Sequence, residues 1–164
     1  MFTNVQSFIN EYRLESASTQ KQFDSFTDAS LKQKIAPDHR TLGYLAWHIV
    51  ATAGKLAPTG LIIHAVDPYE QPVSARAIAE SYRKTANDVL VAVKQQLTDD
   101  MLHKTIQFYE NQWTIGYVLY GFLKHEIHHR GQLTVLMRQA GLPVAGMYGP
   151  SKEEWLGMGM QPQK

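Results

Sequence analysis

The chain has 164 residues, of which 44% are hydrophobic and 19% are charged, so we predict a single globular domain over residues 1–164 and exclude a disordered or collagen-like chain. Lysine and arginine total 16 against 15 acidic residues, for a net charge of +1 at pH 7, and the basic residues form no cluster. The charge pattern therefore predicts no nucleic-acid partner and no anionic membrane partner.

Cysteine is absent from the chain, which excludes disulfides, thiolate ligands to a metal and a cysteine nucleophile. Any thiol that takes part in the chemistry must therefore come from a second molecule. The first residues lack the basic start and apolar core of a signal peptide, and no apolar run approaches the roughly 18 residues that cross a bilayer. We expect a cytoplasmic protein.

Apolar residues at steps of three and four predict a long first helix with Thr3 as its N-terminal cap. Its apolar positions are Val5, Phe8, Ile9, Tyr12, Phe23 and Phe26. The middle of this helix is unusually polar for a core face, at Glu15, Ser16 and Thr19. One interpretation is that these side chains face the functional site from the opposite side.

Two further helices follow. The second begins after Thr41 and ends between Pro58 and Gly60, and its inward positions are Leu42, Leu45, His48, Ile49, Thr52 and Leu56. Ser74 is the predicted N-cap of the third helix. The apolar positions of this helix are Ile78, Tyr82, Val89, Val93 and Leu97.

Polar and apolar residues alternate in the segment from Thr105 to Trp113, which also contains a turn-forming asparagine. This pattern is typical of a small hairpin or an extended flap. Thr114 caps a fourth helix, which ends near Ala140 with Gly141 as its stop. The inward positions of this helix are Val118, Phe122, His125, His129, Leu133 and Leu136. The C-terminal tail shows no clear helical period of apolar residues, and we expect it to pack along the helices. Together these elements predict an all-α fold, an antiparallel four-helix bundle.

Histidine occupies two of the inward helical faces, where leucine would pack at lower cost, and a buried imidazole needs partners for its nitrogens. His125 and His129 lie one turn apart on the fourth helix, and His48 lies on the second. A single inward histidine is more often a hydrogen-bonded core residue, but one metal ion satisfies three ring nitrogens together. Three imidazoles favour zinc, nickel, iron or copper over calcium or magnesium.

The remaining histidines are weaker candidates. His128 follows His125 by three residues and could also chelate, but it lies off the apolar face and is better interpreted as a neighbour of the site. His39, His64 and His103 lie in predicted loops or at helix ends, where histidine is ordinarily solvated.

The same block also satisfies the H-E-x-x-H pattern of zinc peptidases, in which Glu126 would be the general base. Such a peptidase needs a third ligand from a later segment, for which Glu153 and Glu154 are the obvious acidic residues. It also needs a strand that holds an extended peptide, and the sequence predicts no strong strand. This interpretation is a minor alternative.

Several segments resemble the DinB-like superfamily: Leu45-Ala-Trp-His48-Ile, the block His125-Glu-Ile-His-His-Arg-Gly-Gln-Leu133, Met137-Arg-Gln-Ala-Gly-Leu-Pro and Tyr148-Gly-Pro-Ser151. The resemblance covers most of the chain. It implies an antiparallel four-helix bundle, often a homodimer, with a three-histidine metal site. The positions that match the metal ligands of the family are His48, His125 and His129 in this sequence.

The resemblance is less specific about the reaction. Some members look like transferases that use a low-molecular-weight thiol, some like thiol-dependent isomerases, and many are described only as induced by DNA damage. The absence of cysteine is compatible with an enzyme that acts on a small molecule through an external thiol activated on the metal, as in an S-transferase. It is equally compatible with attack by metal-bound water, as in a hydrolase. A non-catalytic metal-binding or stress-response module is the alternative, although three protein ligands favour an open site.

Three polar residues near the ligands, Arg130, Gln132 and Tyr148, are candidates for contacts to the substrate or to the ligands. For Arg130 and Gln132 the other interpretation is that they are ordinary solvated or interhelical groups.

Overall fold

The computed structural model describes residues 1–161, which are mostly helical with one small antiparallel sheet. The α-helices of this region are α1 (Val5–Phe23), α2 (Leu42–Ala51), α3 (Ala75–Gln96), α4 (Asp99–Leu102), α5 (Ile115–Gln139) and α6 (Lys152–Gly157). The strands are β1 (Thr105–Phe108) and β2 (Asn111–Thr114), and 3-10 helices lie at Ser30–Lys32 and Thr52–Thr59. The four helices predicted from the sequence correspond to α1, α2, α3 and α5.

The predicted N-caps of α3 and α5 are confirmed, and Thr41, which precedes the second predicted helix, caps α2 in the same way. In each case a hydroxyl accepts a hydrogen bond from the backbone N–H three residues later: Thr41 from Tyr44, Ser74 from Ala77, and Thr114 from Tyr117. These bonds satisfy donors that the first turn of a helix leaves free. The stop after α5 is also confirmed, because Gly141 has a φ of 74°, in the left-handed region.

The predicted cap of the first helix is wrong by one residue. Asn4, not Thr3, caps α1, and its side-chain oxygen accepts a hydrogen bond from the N–H of Ser7 at 3.0 Å. Asp99 adds a second contact, since its Oδ1 accepts a bond from the N–H of Val5 at 2.7 Å. Asparagine caps as well as a hydroxyl residue does, so a contact from a distant part of the chain helps to decide where α1 begins.

The second predicted helix reaches its expected end but changes type on the way. The α-helical hydrogen bonding ends at Ala51, and a 3-10 helix continues to Gly60, whose φ of 86° terminates it. The Thr52 hydroxyl donates to the carbonyl oxygen of His48 at 2.7 Å, and Pro58 has no N–H to donate. These local bonds favour the tighter winding in this segment.

The long helix α5 packs between α1 and α2, while α3 contacts both α1 and α2. Their apolar faces meet in one core, whose most deeply buried side chains include Phe8, Tyr12, Ile78, Tyr82, Leu119, Leu123 and Leu133. Because α5 has a helix on either side, polar residues on both of its flanks need partners inside the protein. None of the described helices has both the length and the apolar character of a membrane span.

The segment before α5 is a hairpin, as one of the two predicted alternatives states. Strands β1 and β2 pair antiparallel, with Ile106 opposite Trp113 and Phe108 opposite Asn111. The hairpin packs against the 3-10 helix Thr52–Thr59 and against α5. It therefore lies beside the α5 face that carries the histidines.

The C-terminal segment packs against the helices, as expected, and contains a helix that the periodicity does not predict. Val144 is buried in the core, and Nε2 of Gln22 donates to the carbonyl oxygen of Ala145 at 2.8 Å. Ser151 and Glu154 form a capping box at the start of α6. The S-x-x-E spacing of these two residues is the sequence signal for that helix.

Gly116, near the start of α5, leaves no room for a side chain, because a Cβ atom there would overlap the backbone oxygen of Phe2. We predict that Gly116→Ala lowers the free energy of unfolding by about 1–3 kcal/mol, since the backbone must move, as measured by chemical denaturation. The matched control is Gly121→Ala on the same helix, where nothing lies within 4 Å of the added atom. Its stability should stay unchanged or rise by up to about 1 kcal/mol.

Candidate metal centre

Three histidines converge between α2 and α5. His125 and His129 project from α5 one turn apart, because residues four apart share a helical face, and His48 projects from α2. Nε2 of His125 lies 3.3 Å from Nε2 of His48 and 3.2 Å from Nε2 of His129. His129 is buried and the other two are half-buried. These are the three residues that helical spacing predicts, and the structure brings them together.

Hydrogen bonding among the rings does not satisfy this arrangement. A neutral imidazole nitrogen carries either one N–H or one lone pair, so Nε2 of His125 can pair with only one of its two neighbours. Whichever tautomer the rings adopt, the other neighbouring nitrogen is left without a directed hydrogen bond to His125. A shared cation removes this conflict, because each ring can direct a lone pair at the same point.

The separations also fit a metal ion. In a tetrahedral site with Zn–N bonds of about 2.0–2.1 Å, the ligand nitrogens lie about 3.3–3.4 Å apart. The two closest Nε2 pairs here are 3.3 and 3.2 Å apart, and all three ligand atoms lie within 4.8 Å of one another. The donor set therefore fits a divalent transition metal.

Gln132 holds His129 in the tautomer that coordination requires. Its Oε1 lies 2.7 Å from Nδ1 of His129, and an amide oxygen only accepts, so Nδ1 donates its proton and Nε2 keeps its lone pair. Gln132 thus makes one of the predicted contacts to a ligand. His128 is exposed and lies outside the group, with its ring centroid 5.0 Å from that of His129.

Burial keeps the three imidazoles neutral. It lowers the pKa of His48 and of His125 from 6.5 to about 4, and it also lowers the pKa of His129. The nearby positive charges of Lys55 and Arg40 act in the same direction. Because the neutral ring is the form that coordinates a metal, these ligands can bind without first losing a proton near neutral pH.

Each histidine borders a different opening in the surface. His129 borders a cleft of about 700 Å³ that is also lined by Arg40 and His39, here called the His129 cleft. His125 borders a smaller space of about 220 Å³, the His125 cavity, next to the hairpin. His48 borders a groove of about 620 Å³, the His48 groove. Small molecules can therefore reach the histidine group from more than one direction.

Glu126 points away from the histidines, although it follows His125 directly. Its Oε1 accepts hydrogen bonds from Thr19 on α1 at 2.7 Å and from Tyr82 on α3 at 2.5 Å. The carboxyl group is buried, which raises its pKa. This geometry gives no support to Glu126 as the general base of a zinc peptidase, since its carboxylate is directed between two other helices.

The other acidic residues proposed for a peptidase are also engaged elsewhere. Glu153 lies 3.4 Å from Arg138 in an ion pair, and Glu154 belongs to the capping box of α6. Within residues 1–161, neither joins the three-histidine group.

Arg130 forms a buried ion pair with Glu15, and its Nη1 donates to the backbone oxygen of Glu15 at 2.8 Å and to Thr19 at 3.2 Å. The Tyr148 hydroxyl donates to the Glu15 carboxylate at 2.9 Å and accepts from Arg130. The interpretation that the polar middle of the first helix faces the site is therefore wrong. Glu15 and Thr19 bind the opposite flank of α5, and Arg130 and Tyr148 bind them there.

The residues at the edges of the openings were not predicted from the sequence. Lys55 and the hairpin side chains Phe108, Tyr109 and Trp113 line the space beside His125, and Arg40 lines the cleft beside His129. One signal was available, because Lys55 is the only lysine, arginine or acidic residue between positions 41 and 66. The contacts of the hairpin depend on how the chain folds, and the local sequence does not indicate them.

These features define a class of protein: a mostly helical chain in which two helices bring three histidines to one point beside open clefts. The chain belongs to the DinB family, whose family model matches residues 1–163. The resemblance drawn from the sequence motifs is thereby confirmed.

Relatives and solved structures agree with this assignment. The chain is 44% identical to the protein YrdA of Bacillus subtilis strain 168, described as uncharacterized, over 100% of this chain and 99% of the relative. It is similar to the crystal structure of a DinB-like protein from Bacillus cereus ATCC 10987, with 41% identity and a TM-score of 0.87, covering 90% of this chain and 100% of the other. The DinB-like protein YjoA of Bacillus subtilis, 21% identical, has a TM-score of 0.66 over 84% of this chain and 95% of its own, and shows the fold alone.

The lowered pKa values predict how the metal-free protein responds to acid. A histidine whose pKa is lower in the folded state binds fewer protons there, so its contribution to stability is complete above about pH 6.5 and is lost as the pH falls through about 4. We expect the free energy of unfolding of chelator-treated protein, measured by urea denaturation, to fall over this range. In the double variant His48→Gln with His125→Gln the fall should be shallower. An equal slope in both proteins would contradict the prediction.

Proposed function

We propose that this protein is a metal-dependent enzyme acting on a small molecule, built as an antiparallel four-helix bundle of α1, α2, α3 and α5. His48, His125 and His129 bind one divalent transition metal ion per chain, which is zinc, nickel or iron. The convergence of three Nε2 atoms, which hydrogen bonds among the rings cannot satisfy, carries this proposal. Membership of the DinB family is compatible with it.

The number of ligands supports an open site over a closed structural one. Among residues 1–161, no fourth imidazole or carboxylate joins the group, and the chain has no cysteine to supply a thiolate. Catalytic zinc sites typically have three protein ligands and structural sites have four. The openings beside the three histidines give an exchangeable ligand a route to the remaining position.

A metal ion bound here supplies Lewis acidity, which lowers the pKa of a thiol or of water and polarises an electrophile. The protein's own residues supply binding and orientation. Gln132 fixes the ring of His129, while Lys55 and Arg40 place positive charge beside the group. That charge favours an anionic nucleophile or an anionic substrate.

Of the two reactions, the cavities favour an S-transferase that uses a low-molecular-weight thiol. A transferase must hold two molecules at once, and the His129 cleft and the His125 cavity border the same histidine group. A hydrolase needs only one organic molecule and water, and it is the second candidate. A homodimer and a cytoplasmic location stay predictions that rest on the resemblance and on composition.

The metal proposal predicts that protein purified without chelator contains about one transition metal ion per chain. Alanine at His48, His125 or His129 should lower the metal content at least about tenfold, and Gln132→Ala should weaken affinity by about 10- to 100-fold. His128→Ala is the matched control and should keep its metal. Elemental analysis together with circular dichroism measures both content and folding. Loss of metal in His128→Ala but not in His129→Ala would contradict the assigned ligands.

The enzyme proposal predicts that the metal keeps an exchangeable position. In cobalt-substituted protein, azide or cysteine should change the visible absorption spectrum. Assays with 1-chloro-2,4-dinitrobenzene plus cysteine, and with 4-nitrophenyl acetate in water, separate the two reactions. Turnover that requires the thiol supports the transferase, and turnover in water alone supports the hydrolase. A silent spectrum without turnover would instead support a non-catalytic metal-binding or stress-response module.

A further inference from the structure

The His125 cavity is a nearly apolar space of defined size. Its volume is about 220 Å³, and its walls include the rings of Phe108, Trp113 and Phe122 with the side chains of Leu56 and Val118. The hairpin rings are held in place, since Phe108 stacks on Trp113 with ring centroids 5.2 Å apart. An apolar cavity of about 150 Å³ is large enough to bind benzene. This cavity can therefore hold one aromatic ring with a substituent, or a branched alkyl group of similar size.

Gly121 keeps the cavity open from the side of α5. It lies in the middle of a long helix, where glycine costs roughly 0.5–1 kcal/mol relative to alanine. No atom lies within 4 Å of the position of a Cβ atom there, so close packing does not require glycine. Its position in the cavity wall supplies a reason, because a larger side chain would fill the space beside His125.

Tyr109 lines the same space from the tip of the hairpin. It lies in the two-residue loop between β1 and β2 and has a φ of 51°, in the left-handed region that favours glycine. A non-glycine residue in that region costs about 1–2 kcal/mol. The chain nevertheless places a tyrosine there, and its side chain lines both the His125 cavity and the His48 groove. Such backbone strain is typical of residues that serve a binding site.

Lys55 places one positive charge at the edge of these spaces. It projects from the 3-10 helix after α2, is exposed, and lines both the His125 cavity and the His48 groove. Apart from the histidines, it is the one ionisable cation among the described residues that line them. Within residues 1–161 it has no ion-pair partner (the salt bridges there are Arg76–Glu80, Arg83–Asp24, Arg130–Glu15 and Arg138–Glu153).

We propose that the substrate is a small organic anion with a ring-sized apolar group. The apolar group occupies the His125 cavity, and the anionic group pairs with Lys55 at its edge. This inference rests on the proposed function, because it places the bound molecule beside the three histidines. It names what the molecule must look like, which the metal site alone does not.

Three probes test the two parts of this inference: phenylacetate, its neutral analogue phenylacetamide, and acetate, which lacks the ring. Binding is measured by calorimetry and by backbone amide NMR on protein as purified and after metal removal. We expect phenylacetate to bind at least about tenfold more tightly than either analogue in both forms, with the largest NMR shifts around Gly121 and the hairpin. Shifts confined to the His129 cleft, or equal affinity for all three probes, would overturn the inference.

Two variants separate the apolar contact from the charge. Gly121→Leu fills the cavity and should weaken phenylacetate at least about tenfold. The matched control is Gly131→Leu on the same helix, where the added side chain also meets nothing within 4 Å at its Cβ, and it should bind like the wild type. Lys55→Met should reduce the affinity for phenylacetate to that for phenylacetamide. Wild-type affinity in both Gly121→Leu and Lys55→Met would overturn the inference.

Metal content, measured on the same samples, distinguishes this inference from the proposed function. Gly121→Leu and Lys55→Met should retain the metal of the wild type, since neither residue is a ligand. If wild-type protein bound phenylacetate in this pattern but held no metal, the inference about the bound molecule would be supported and the proposal of a metal-dependent enzyme would be refuted. If it held metal but did not bind phenylacetate in the cavity, only the inference about the substrate would fall.

Discussion

The rotation of α5 about its own axis decides where its polar side chains point, and one buried ion pair holds that rotation. Arg130 is 1% exposed and binds both the carboxylate and the backbone oxygen of Glu15 on α1. Removing one partner of such a pair costs about 3–5 kcal/mol, because the other charge stays buried. Arg130 follows His129 directly, and neighbouring helical residues point about 100° apart. Anchoring Arg130 toward α1 therefore directs His129 toward α2.

The same helical spacing thus serves two purposes on α5. His125 and His129 form one pair four residues apart, and Glu126 and Arg130 form a second pair displaced by one residue. The first pair faces α2 and His48, while the second binds Thr19, Tyr82 and Glu15 inside the protein. The chain therefore matches the H-E-x-x-H pattern of zinc peptidases, although Glu126 accepts hydrogen bonds from Thr19 and Tyr82 and does not face the histidines. The pattern fixes spacing, but the packing partners decide the role of each residue.

What could be predicted from the sequence depended on local geometry. The helical period of apolar residues predicts α1, α2, α3 and α5, and hydroxyl caps mark the starts of α3 and α5. The spacing of His125 and His129 predicts the face on which they meet His48. The cap of α1 was missed because Asp99, far along the chain, contributes to it. The polar middle of α1 is visible in the sequence, but the direction of its side chains is not, since only the packing of α1 against the other flank of α5 shows where Glu15 points.

The hairpin lies outside this framework of helices, and its strands and its tip are constrained differently. Its strands are paired and its second strand ends at Thr114, the cap of α5, so a change in strand length would disturb the helix that carries two of the histidines. Side chains at its tip, such as Tyr109, have no such connection. Selectivity for different compounds can therefore evolve, or be engineered, by exchanging tip residues while the three-histidine group is kept unchanged.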